Sequence, residues 1–283
     1  MTVRIVTDST ADLPPELAQE MGITVVPLNV HFGNDVFFDG VTIQADEFYQ
    51  RLVSSPELPK TSQPSVGAFM EVYQGILKDA DGIVSVHISS KVSGTVNSAQ
   101  LAAAELSSSA IEVVDTLQAS LALGLIAIAA AKVAQSGASL EEVAAEAQSA
   151  SERARFYGLV ETLEYLEKGG RIGKAQAFLG SLLRIKPILS MHEGIAHPVE
   201  KARTRAKGLD RMATMTSELA PIEAIGVMSS DVASDSAIMA EAMTQYVSAD
   251  GMIVGRFGPV LGTYLGPGSL GVAVLKAKNP ENQ

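Results

Sequence analysis

Cysteine and tryptophan are absent from the 283 residues, and histidine occurs only four times. Without cysteine there are no disulfides, thiolate zinc sites, iron–sulfur clusters or cysteine nucleophiles. His31, His87, His192 and His197 form no H-E-x-x-H pattern, and no G-x-S-x-G elbow occurs. Zinc-dependent and triad hydrolases are therefore disfavoured, and no metal is expected. Basic residues number 21 against 32 acidic ones, a formal charge of −11. Such a surface repels phosphodiester backbones, so nucleic acid is not an expected partner. The longest uncharged apolar run, 121–131, is interrupted by Gly124 and closed by Lys132. It falls well short of the roughly 20 residues of a spanning helix, and no membrane span is expected. The opening MTVRIVTDST runs straight into a strand-like segment with no charged and apolar leader, so the cytoplasm is the expected compartment.

What is present is a 47% hydrophobic chain with material for one large or two ordinary domains. Through the first half, β-rich runs alternate with amphipathic helical runs. Strands are expected at 3–6, 23–32, 36–38, 83–88 and 111–114. Helices are expected near 14–21, 46–54, 66–77, 95–106, 118–135 and from 140. Asp12 is read as the N-cap of the first helix and Gly22 as its stop, Ser65 caps the third, and Ser139 with Glu142 forms a capping box. Gly33-Asn34-Asp35 is a hairpin signal. This alternation predicts a mostly parallel sheet flanked by helices. The pattern changes near Arg155, where a domain boundary is placed, giving domains 1–155 and 156–283. Beyond it, strands are expected at 156–160, 187–190, 195–200, 224–228, 252–257 and 270–275, with helices at 176–183, 206–220 and 234–247. The strands on either side of the turn at His192–Gly194 must run antiparallel, so this second sheet is mixed. The fold class is thus α/β, one mostly parallel sheet and one mixed sheet. The glycine-rich stretch 258–268 is read as a loop.

Small polar clusters recur at strand-to-helix junctions: Thr7-Asp8-Ser9-Thr10, Thr61-Ser62-Gln63-Pro64-Ser65, Ser89 through Thr95, and Asp115-Thr116 leading to Ser120. In a parallel sheet such junctions gather at the carboxyl edge, where unpaired helix N–H groups also point. One cluster alone is an ordinary N-cap; four together favour a site for a small anion. Ser93-Gly94-Thr95 is the sharpest, because Gly94 lets a ligand oxygen approach the backbone. Arg171, set among Gly169, Gly170 and Gly173, reads equally as a phosphate contact or as a solvated cation at a helix end. Arg203 and Arg205 lie in a basic stretch, 201–207, read either as a solvated face or as a patch for a phosphate or an acidic partner.

In order along the chain, TDSTADLP from Thr7, TSQPS from Thr61, the Ser89–Thr95 turn, LEKGGRI from Leu166, KPIL from Lys186 and GPG from Gly266 resemble the DegV family. The resemblance implies a Rossmann-like first domain, a mixed-sheet second domain and one long-chain fatty acid between them. It further implies a lipid-binding subunit of a bacterial two-component fatty acid kinase, whose separate kinase converts the bound acid to acyl phosphate. Carried over position by position, the carboxylate-binding residues are Thr61, Ser62, Ser93, Gly94 and Tyr264, while Arg171 and Arg203 are implied to engage phosphate or kinase. The sequence departs from the family pattern at Tyr264-Leu265, where a histidine-containing G-T-H-T-G-P-G loop is usual, and at Ala122, where glycine is common. The first change removes an imidazole from the expected headgroup and leaves a phenol as donor.

A fatty acid needs an apolar tunnel and hydrogen-bond donors for its carboxylate. Each buried methylene contributes roughly 0.8 kcal/mol. Phe69, Tyr73, Leu121 and Leu125 are candidate tunnel residues, each also readable as ordinary core. No P-loop or kinase signature is present, so the chain is read as a non-enzyme without its own ATP site and needing no cofactor; oligomeric state is not readable from the sequence, and a monomer is the default expectation. The alternatives are an enzyme acting on a small phosphorylated or carboxylated metabolite, and a regulatory or scaffold protein that kept the fold.

Overall fold

The computed structural model describes residues 1–107, 110–180, 185–230 and 233–278. The first half runs β1 (Val3–Asp8), α1 (Pro15–Glu20), β2 (Ile23–Val26), β3 (Asn29–Phe32), β4 (Asp35–Phe38), α2 (Ala45–Ser54), β5 (Lys60–Ser62) and α3 (Val66–Ile76). It continues through β6 (Gly82–His87), α4 (Thr95–Glu105), β7 (Ile111–Asp115), α5 (Leu121–Gln135) and α6 (Leu140–Arg153). The second half opens with β8 (Ala154–Leu159), α7 (Glu164–Lys168), β9 (Lys186–His192), β10 (Ile195–Ala202) and α8 (Arg205–Ser217). It closes with β11 (Ile222–Ser229), α9 (Ala233–Met243), β12 (Met252–Arg256), α10 (Pro259–Leu265) and β13 (Leu270–Lys276).

The strands form three sheets. The order β2-β1-β6-β7 is parallel throughout. The second sheet, β10-β9-β8-β13-β11-β12, is mixed: β11 and β12 run parallel and the other pairs antiparallel. The parallel sheet ends at Asp115 and the mixed sheet begins at Ala154, with α5 and α6 in between.

The third sheet, β4-β3-β5, is antiparallel, and sequence periodicity does not foresee it as a separate layer. The run 23–32 reads as one strand but breaks at Pro27-Leu28, where proline offers no ladder N–H and the chain leaves one sheet for another. The polar segment Lys60–Ser62 then pairs with β3, setting Thr61 opposite Val30 and Ser62 opposite Asn29.

Local chemistry accounts for several helix ends. The Ser65 hydroxyl accepts from the Ala68 N–H, and Ser139 and Glu142 exchange both bonds of a capping box. Asp12 is not the N-cap of α1, which starts after Pro14; it sits in the left-handed region with φ 51° and bonds elsewhere. The stretch 258–268 is not all loop. Pro259 at the first helical position and Gly266 at φ 73° bracket α10, the start and stop chemistry of a short helix. Of the helix expected over 176–183, the structure has a 3-10 turn at Gly173–Phe178; positions 181–183 lie outside the described residues.

At the centre lies α5, buried on every side from Leu121 to Ala131. It contacts β1 and β6 of the parallel sheet and β8, β11 and β13 of the mixed sheet. Two glycines permit the approach. A Cβ on Gly124 would sit 2.7 Å from the Ala11 carbonyl, and one on Gly226 of β11 would sit 2.2 Å from the Leu121 side chain. All-round apolarity here marks a helix wrapped by protein on both faces.

Candidate functional site

The carboxyl ends of β6 and β7 lead into the turns 88–94 and 116–120, and these turns form one wall of a mostly apolar cavity. The opposite wall comes from β8 and the residue after it, β9 and α10, through Phe156, Val160, Leu189, Met191, Leu261 and Leu265. Aliphatic and aromatic side chains dominate the body. Polar side chains line it at Thr61, Ser62, Gln63, Ser93, Ser120, Arg171, Ser190 and Tyr264, with Gly94 beside Gln63.

The geometry at this polar end is specific. The hydroxyls of Thr61 on β5 and Tyr264 on α10 are 2.6 Å apart. Ser93 Oγ lies 2.8 Å from Thr95 Oγ1 and accepts weakly from the Thr95 N–H at 3.4 Å. Ser62 Oγ accepts from Asn29 Nδ2 at 3.1 Å and lies 3.0 Å from His31 Nε2. A Cβ on Gly94 would come 2.8 Å from Gln63 Nε2, so glycine lets the 61–65 and 89–95 turns close on each other. The Arg171 guanidinium lies 5.2 Å from the Tyr264 ring centroid and donates to the carbonyls of Val92 (3.2 Å) and Gly169 (2.9 Å). Its backbone bonds place a cation at the rim rather than inside. Among the described residues no group of three or more His, Cys, Asp or Glu side chains is arranged to hold a metal.

The cavity thus gathers Thr61, Ser62, Ser93, Gly94, Tyr264 and Arg171. The other candidates lie elsewhere. Phe69 and Tyr73 on α3 belong to a separate apolar cluster with Val6, Ile83, Ala99 and Ala102, not to the cavity wall. The Tyr73 hydroxyl donates to Ser85 at 2.7 Å, and the Phe69 ring stands edge-on to His87 at 5.0 Å. Leu121 and Leu125 are consumed by packing between the two sheets and do not line the cavity either. Helical periodicity marks a buried face without telling which of two interiors it faces. Arg203 is exposed in the bend after β10, outside the cavity. Its neighbour Arg205 instead pairs with Glu161 and Asp235.

The Thr7–Thr10 cluster also stands apart from the cavity. Asp8 Oδ2 accepts from the Ile88 N–H at 3.0 Å and lies 2.9 Å from His87 Nδ1, while His87 Nε2 is 2.7 Å from Ser85 Oγ. The Asp–His–Ser order mimics a hydrolytic triad. All three side chains are fully buried, Ser85 is occupied by Tyr73, and none of them lines the cavity, so this chain is an internal brace.

A family model described as an uncharacterised protein of the DegV family matches residues 2–277. The chain belongs to the DegV family. A DegV domain-containing protein of Streptomyces coelicolor is 40% identical over 280 residues, 96% of this chain and 98% of that one. Among solved structures, a DegV family protein from Thermus thermophilus, described for its fatty acid binding, has TM-score 0.90 and 36% identity. The match covers 98% of this chain and 100% of that one. DegV from Bacillus subtilis, described as a fatty acid binding protein, has TM-score 0.87 and 33% identity over 98% and 100% of the two chains. In this DegV-family chain the departure Tyr264-Leu265 falls inside α10. Tyr264 faces Thr61 and Arg171, and Leu265 joins the apolar lining. A tyrosine on this helix occupies the polar end of the cavity while its ring supports the rim arginine.

Proposed function

We propose that this chain binds one long-chain fatty acid, with the carboxylate at Thr61, Ser62, Ser93, Gly94 and Tyr264 and the alkyl chain along the cavity body. The observation that carries the reading is the make-up of one cavity: a polar cluster in which the Thr61 hydroxyl meets that of Tyr264 and Arg171 lies over the Tyr264 ring, in a lining dominated by aliphatic and aromatic side chains. Solved structures of family members described as fatty acid binding proteins support it. At roughly 0.8 kcal/mol per buried methylene, a long chain offsets the cost of ordering it and of moving its carboxylate out of water. A cavity lined mostly by aliphatic and aromatic side chains has little to offer a small polar metabolite.

The headgroup chemistry fits transfer as well as storage. Hydroxyls and backbone N–H groups hold a carboxylate without fixing a counter-charge on it, which leaves an oxygen free to attack a γ-phosphate. In this reading a separate kinase supplies ATP, Arg171 at the rim meets the incoming phosphate or the kinase, and the carboxylate oxygen takes the γ-phosphoryl group as its bond to ADP breaks, giving an acyl phosphate and ADP. Exposed Arg203 belongs to the kinase-facing surface. The protein acts as a monomeric carrier in the cytoplasm. Mass spectrometry of extracted, freshly purified protein should yield one acyl chain per polypeptide; a protein free of lipid contradicts the reading. Incubation with the host's fatty acid kinase and ATP should give acyl phosphate, and no ATP hydrolysis should occur without the kinase.

A further inference from the structure

Two surface hollows adjoin the cavity at its polar cluster. One shares Ser93, Gly94 and Arg171 with it, and the other shares Thr61, Arg171 and Tyr264. A third hollow backs onto the cavity elsewhere. It is a groove between the turn 115–118, the end of α6 and the strands β9 and β10, and it shares Phe156, Ser190 and Met191 with the cavity. Neither of the first two hollows reaches these three residues. The lining is therefore one residue thick at two separate places, the polar cluster and the wall toward this groove. Of the three shared residues serine is the smallest, so Phe156 and Met191 supply the bulk of the partition.

The two differ in freedom. Phe156 and Gly158 project from the same face of β8, and Gly158 faces Gly271 across the pairing with β13. An ideal Cβ on Gly158 would lie 3.2 Å from the Phe156 ring, and one on Gly271 would lie 2.9 Å from it. Two facing glycines thus make the berth of one aromatic ring. Phe257, fully buried, closes that berth edge-on with ring centroids 6.4 Å apart. Phe156 is locked. Met191 is half-buried and sits opposite Ala196, a small neighbour in the β9–β10 pair. An unbranched thioether with three rotatable bonds can yield there.

We propose that Phe156 and Met191 are specificity-determining residues that set the longest acyl chain the cavity accepts, Phe156 as a fixed stop and Met191 as an adjustable one. This deepens the fatty-acid reading and rests on it. With the carboxylate at Thr61, Ser93 and Tyr264, a lengthening tail advances away from the polar cluster until it meets the other thin wall. Beyond that wall the groove presents Asp115, Gln118, Glu152, Arg155 and His192. A methylene pushed past Met191 leaves an apolar lining for a polar one, and the gain per carbon ends.

Affinities for a series of saturated acids of increasing length test this. In wild type each added methylene should tighten binding by up to about fourfold until a break, after which affinity stops rising. Met191→Ala should move the break to longer acids, with up to about fourfold gained per newly housed methylene, and Met191→Phe should move it to shorter ones. Val260→Ala, which widens the cavity away from the groove, should leave the break in place. Because the chain contains no cysteine, Met191→Cys carries a single thiol. A charged maleimide should label it from the groove in lipid-free protein. An acid whose length falls at the break should protect the thiol, and a much shorter acid should not. A break unmoved in both Met191 variants, an equal shift in Val260→Ala, a thiol that stays unlabelled without lipid, or protection independent of length would overturn the proposal alone. Protein that binds no acid of any length sinks the fatty-acid reading, and the proposal with it.

Discussion

Thr61 and Tyr264 lie 203 positions apart in the chain, and their hydroxyls meet at 2.6 Å. The contact joins the small antiparallel sheet to α10, and it closes the polar end of the cavity from both halves of the sequence. Removing the phenol hydroxyl by Tyr264→Phe should weaken fatty-acid affinity about 10- to 100-fold, the range for a hydrogen bond to a charged group. Thr61→Val should cost a similar amount, and the double variant little more, because each residue orients the other. Displacement of a fluorescent fatty acid measures all three; additive losses would mean the hydroxyls act independently.

Ser93 has an Oγ aimed at the same end of the cavity and is half-buried. Ser93→Ala should lower the fraction of protein that keeps lipid through purification while shifting the melting temperature little, since Thr95 keeps its place in α4. Extraction and mass spectrometry read the occupancy. Full occupancy in the variant would remove Ser93 from the headgroup.

Core and cavity should respond in opposite ways. Leu125 is 1% exposed and packed against other core residues, so Leu125→Ala should cost about 2–5 kcal/mol in a denaturant titration without changing which acyl chain is bound. Ala196 borders the cavity, and Ala196→Phe should fill it, with stability held or raised and lipid uptake suppressed. Unaltered lipid uptake by Ala196→Phe would mean the alkyl chain runs elsewhere.

The buried chain Asp8–His87–Ser85–Tyr73 predicts a structural cost alone. Tyr73→Phe leaves the Ser85 hydroxyl short of its donor in a dry interior and should destabilise the protein by about 1–3 kcal/mol. Bound lipid should be unchanged. Loss of lipid in this variant would tie the brace to the site.

The Asp39 carboxyl, up at about 7 because it is buried, gives a stability profile with a definite sign. Between the ordinary carboxylate value and about pH 7 the folded chain binds this proton and the unfolded chain does not. The stabilisation from Asp39 is complete below the ordinary value and is lost as pH rises through about 7. The melting temperature of Asp39→Asn relative to wild type should therefore improve from pH 5 to pH 8; a constant difference across that range would contradict the assignment.

Much of this was legible in the amino-acid order. The capping box at Ser139 and Glu142, the Ser65 cap and the hairpin at Gly33-Asn34-Asp35 follow from local chemistry, and local chemistry survives folding. The polar junctions pointed to Thr61, Ser62, Ser93 and Gly94, which do share one cavity. The apolar lining was not legible, because Leu189, Met191 and Leu261 look like any strand or helix interior until the walls are assembled. Phe69 and Leu121 show the same ambiguity from the other side: fully buried, correctly read as interior, and turned toward different neighbours. Asp12 was misread because the sequence before α1 carries a cap-like residue whose partners, Ser120 and Gly258, are more than a hundred positions away. The helix at 259–265 hid behind its glycines, of which Gly262 is there because a Cβ would press into Phe48 and Tyr49 of α2.

A single helix, α5, serves as the keel of both halves, with Gly124 letting one side in and Gly226 the other. The two halves therefore share one buried helix. Splitting the polypeptide after Arg155 strips one flank of α5 to water and leaves the mixed sheet without its floor, so each fragment should aggregate, whereas the intact chain should melt in one cooperative step. Opening of the cavity should then be a local movement at its rim, because the two sheets turn on a shared spine.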